Sequence, residues 1–109
     1  MSDLPKKVNI LGKIYTITPD TIIGADNTDL ASGLCQPWKC AIRVATGQHP
    51  QQERDTVLHE VMHGIFSETA LTMDFKEDED EEKIVRRLTT GLLQVLRENP
   101  ELTKFILKK

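Results

Sequence analysis

The chain has 109 residues, 39% hydrophobic, 28% charged and 5% aromatic; 14 basic against 17 acidic side chains give a net charge of -3 and a pI near 5.6. That length holds one domain, residues 1–109, with a core of Leu, Ile and Val, and the balance excludes a disordered or collagen-like chain. The acidic excess, with no basic stripe beyond Arg86-Arg87 and Lys108-Lys109, argues against nucleic acid as a partner, and no apolar run nears the roughly 20 residues that cross a membrane.

Lys7 to Leu11 and Lys13 to Thr18 carry β-branched and apolar residues at near-alternate positions around Gly12, which predicts a hairpin. The amino end before it, Met1 to Lys7, lacks the apolar segment of a signal peptide, so the expected compartment is the cytoplasm, where Cys35 and Cys40 are expected to stay free thiols. Turn formers fill Gly24 to Asp29. Two further strands are expected, Ser32 to Gln36 and Cys40 to Ala45, joined through Pro37-Trp38. Tyr15 reads as a strand packing residue. Arg43 reads either as a guard on a sheet edge or as part of a strand, Ala41 to Ala45, along which a peptide lies.

From Pro50, a residue suited to the first turn of a helix, Val57, Leu58, Val61, Met62, Ile65 and Phe66 recur at steps of three and four and predict a helix over 50–68. The acidic run 76–82 favours the positive end of a second helix dipole. Ile84, Val85, Leu88, Leu92 and Val95 follow as an apolar stripe expected to bury itself against the first helix. Asn99-Pro100 ends this helix, and 101–109 is expected to form a short further helical segment. The fold class is therefore α+β, a small amino-terminal sheet of hairpins followed by helices.

The first helix contains His59-Glu60-Val61-Met62-His63, an H-E-x-x-H motif. Residues i and i+4 share a helix face, so both imidazoles reach one Zn²⁺, and Glu60 is placed to act on a water as general base. Shuffling three His and nine Glu through this length reproduces the spacing about half a percent of the time. A catalytic zinc site needs a third protein ligand. His49 lies beside Pro50 at the far end of the helix and is a poor one. The acidic entry to the second helix is better, and at about 100° per residue Glu81 projects closest to the mean direction of the apolar stripe, with Glu82 to one side.

The stretch from Glu53 to Leu102, with Thr56 to Phe66 followed by Glu82 to Leu88, resembles the small phage-type zincins related to the ImmA/IrrE family of metallopeptidases. In such proteins a Glu on the helix after the H-E-x-x-H helix is the third ligand, and Glu82, with Val85 and Leu88 after it, matches that pattern. The resemblance thus implies a minimal zincin-like domain with His59, His63 and Glu82 as zinc ligands and Glu60 as catalytic base. It further implies peptide-bond hydrolysis in a peptide or protein substrate. The competing expectation is a zincin scaffold that holds metal for stability and acts as a regulatory or accessory protein through contacts.

Overall fold

A computed structural model describes residues 3–21 and 32–109. The turn-rich stretch Gly24 to Asp29 lies outside the described residues. Four strands, β1 (Lys7–Ile10), β2 (Lys13–Asp20), β3 (Gly33–Gln36) and β4 (Ala41–Ala45), precede three helices, α1 (Pro50–Glu68), α2 (Asp78–Glu98) and α3 (Pro100–Ile106). No helix among the described residues is long and apolar enough to cross a membrane.

The β1–β2 hairpin closes through Leu11 and Gly12, both at positive φ, which matches the right-handed strand twist. The Asn9 side-chain oxygen accepts from the Gly12 amide at 2.8 Å and holds that turn. Between β3 and β4 a 3-10 turn, Pro37–Lys39, ends in Cys40 at positive φ. Alternation then puts Tyr15 and Ile17 of β2 and Ile42 and Val44 of β4 on one buried face. α1 covers that face with Val57, Val61 and Ile65.

Strand order in the sheet is β1-β2-β4-β3. The expected hairpin-built sheet therefore holds only in part, because β2 and β4 are parallel neighbours, Thr16 opposite Ala41 through Asp20 opposite Ala45. This also moves the edge. β4 is paired on both sides, so it neither receives a peptide nor needs a guard; Arg43 instead pairs across the sheet with the Asp20 carboxylate. Among the described strands, the edges are β1 and β3.

The apolar stripe of α2 likewise differs from expectation. Val85 is fully buried and Thr89 nearly so, with Leu93 and Leu96 half-buried, whereas Ile84, Leu88, Leu92 and Val95 are 42–49% exposed. Each buried position follows an exposed one by a single residue. The face that meets α1 is thus rotated by about 100° from Ile84, Leu88, Leu92 and Val95. The first turns of α2 meet α1 through Glu81 and Glu82, which contact His59 and His63.

Candidate metal centre

α1 starts at His49, whose Nδ1 accepts from the Gln51 amide at 3.1 Å, with Pro50 next. His49 therefore caps the helix and lies outside the cluster. Ten residues on, His59 and His63 stand one turn apart, their Nε2 atoms 3.2 Å from each other. Two nitrogens each about 2.0–2.1 Å from a tetrahedral zinc ion stand about 3.3 Å apart, so this spacing is that of a pair of ligands.

α2 brings the third group. Glu82 spans both rings, Oε1 at 2.7 Å from His59 Nε2 and Oε2 at 2.9 Å from His63 Nε2. Glu81, the residue that stripe geometry selects, approaches the same histidine from behind: its Oε2 is 2.6 Å from His63 Nδ1. With Nδ1–H donating to Glu81, His63 turns a lone pair at Nε2 toward His59 and Glu82. Burial holds the His59 imidazole below its usual proton affinity, with His63 opposing a second positive charge and Glu82 favouring one. A neutral imidazole is the form that binds metal. Lone pairs of two rings and a carboxylate thus converge within 4.8 Å, and His59, His63 and Glu82 could hold a metal ion.

Glu60 is 7% exposed, and burial pushes its carboxyl up to about 7, a rise that the Glu82 charge supports and His63 opposes. The amino end of β3 lies against it. A Cβ on Gly33 would stand 2.7 Å from Thr56 Cγ2, 3.0 Å from Glu60 Cγ and 3.1 Å from the Arg43 carbonyl oxygen, so only glycine lets the edge strand approach α1 this closely. Glu60 and Gly33 separate two open cavities of about 310 and 320 Å³. One reaches past His59 to Arg86 and Thr90, the other past His63 to Cys35 and Thr72.

Both cysteines are free thiols. Cys35 lines the second cavity, and burial, reinforced by Glu60 and Glu81, pushes its thiol up to about 12. Tyr15 belongs to the core, its hydroxyl donating to the Glu68 carboxylate at 2.6 Å. Sequence reasoning missed three contributors: Glu81 as the group behind His63, Gly33 as the closely packed residue of the edge strand, and Arg86, whose guanidinium lies 3.6 Å from Glu82. The adjacency of Glu81 and Glu82, and the projection of Glu81 toward the apolar stripe, were the signals for the first. Nothing local marked Gly33. Comparison with family models, curated proteins and solved structures finds no match for this chain.

Proposed function

We propose that this protein is a zinc metallopeptidase on a minimal zincin-like fold, of the kind that the small phage-type relatives of the ImmA/IrrE family exemplify, and that it hydrolyses a peptide or protein substrate. The observation that carries the reading is the convergence of His59, His63 and Glu82 with the buried Glu60 carboxylate between the two histidines in the chain. A site held only for stability has no use for that fourth group. A zinc ion on these donors would supply a positive charge that polarises the scissile carbonyl and draws the pKa of water toward neutrality.

The chain's own groups supply the rest. Glu81 keeps the His63 ring oriented through Nδ1. Glu60 takes a proton from the attacking water and delivers it to the amide nitrogen as the C–N bond breaks, which leaves a carboxylic acid and an amine; the acid proton then passes to the amine, giving carboxylate and ammonium. An extended peptide fits beside β3, which among the described strands pairs only with β4 and whose Gly33 sits against Glu60.

Glu60→Gln tests the assignment. The variant should keep zinc near the wild-type stoichiometry by elemental analysis and lose at least about a hundredfold in hydrolysis of an unfolded protein substrate. Wild-type turnover in that variant ends the reading. Zinc binding by the wild type with no hydrolysis of any peptide would favour the accessory-protein role instead.

A further inference from the structure

The apolar side of α2 next to the face that meets α1 is long and aligned. Ile84, Leu88, Leu92 and Val95 follow at steps of four, four and three, so they fall within an arc of about 80°. Each is 42–49% exposed, and α3 adds Leu102, Phe105 and Ile106 at 42–76%. Single exposed leucines are ordinary on a monomer, but an aligned apolar stripe on α2, with further exposed apolar side chains on the helix that follows it, marks an interaction surface. At these exposures the seven side chains leave roughly 700 Å² uncovered, close to the about 800 Å² per partner that a stable interface buries.

Two observations identify the occupant. The first is charge. The first turn of α2 carries Asp78, Glu79, Asp80 and Glu81, whereas Lys104, Lys108 and Lys109 follow Glu101 with no further acid. A second copy laid antiparallel sets the lysine end of each chain toward the acidic end of the other, and a two-fold axis makes this gain twice. An anionic lipid surface would meet the acidic turns unfavourably.

The second observation is Gly91, three residues after Leu88 and four before Val95 and so on their face. A Cβ there meets nothing within 4 Å. Glycine in an exposed helix interior costs stability and here returns no packing within the protomer. A helix crossing at this point would use the missing side chain for close approach. We propose that the face formed by Ile84, Leu88, Gly91, Leu92 and Val95, extended by α3, is the interface of an antiparallel homodimer. The stripe lies on the flank of α2 away from Arg86 and Thr90, so the dimer leaves the cavity beside His59 open.

Sedimentation equilibrium on the full chain tests this. The expected result is twice the 12.3 kDa chain mass at micromolar concentration, with a dissociation constant that rises with salt. The double variant Leu88→Glu, Leu92→Glu should be monomeric with an unchanged circular dichroism spectrum. Gly91→Leu fills open space in the protomer, so its helix content should hold while dimer affinity falls at least tenfold. A wild type that stays monomeric at several hundred micromolar overturns the proposal. So does a dimer indifferent to Gly91→Leu, or one strengthened by salt.

Discussion

Two neighbouring carboxylates reach one imidazole from opposite sides, and their exposures differ as their roles should. Glu82 is 40% exposed and faces the open side of the cluster; Glu81 is 14% exposed and lies behind His63. The second Glu81 oxygen, Oε1, is buried without a hydrogen-bond partner among the described residues, so nothing but the His63 contact offsets the desolvation of that carboxylate. The two glutamates therefore predict a graded effect on metal affinity, measured by competition with a chromophoric chelator. Glu82→Gln removes a charged donor and should abolish stoichiometric binding, while Glu81→Gln leaves the donors in place and should weaken binding about 10–100-fold. The reverse order would identify Glu81 as the third ligand.

At the level of elements, much was legible because local chemistry set it. Pro50 and the spacing of Val57, Val61 and Ile65 predict α1 with its observed bounds, and the hairpin follows from alternation around Gly12. What was not legible is phase and pairing. Apolar residues on α2 occupy two adjacent faces, and the helical repeat cannot tell that Val85, Thr89, Leu93 and Leu96 meet α1, nor that both Glu81 and Glu82 reach His63 while Glu82 alone also reaches His59. Sheet order is equally non-local, since a strand's alternation says which face is buried but not which strand lies beside it. β3 shows how tightly that order bears on the site. Gly33→Ala would force a methyl against Thr56, Glu60 and the Arg43 backbone oxygen, and should cost about 1–3 kcal/mol by denaturant unfolding while lowering turnover through displaced Glu60. Wild-type stability and activity in this variant would mean that β3 does not position the base.

For the whole molecule, the sheet and three helices of the described residues enclose a small core, so single polar anchors between sheet and helix matter. The Tyr15 hydroxyl and the Lys13 ammonium both meet Glu68 at the end of α1, at 2.6 and 3.1 Å, well away from His59 and Glu82 in the chain. Burial first, then the hydrogen bond to Glu68, hold the Tyr15 phenol well above its usual range, while that same hydrogen bond and Lys13 hold Glu68 low. The unfolded chain releases the tyrosine proton near pH 10, and the folded chain does not, so this contribution is complete below about pH 10 and is lost as pH rises beyond it. Glu68 acts at the other end. Its folded carboxyl titrates below the unfolded value of about 4.3, so its contribution is present above that pH and is lost as pH falls through the folded value. Tyr15→Phe should therefore lower Tm by about a few degrees at neutral pH and flatten the alkaline decline between about pH 10 and 11. It should also release the hold on Glu68, so that this carboxyl's share of the acid decline shrinks. Thermal unfolding across the pH range reads both ends together, and an alkaline decline of undiminished slope in Tyr15→Phe would show that the phenol does not anchor the sheet to α1.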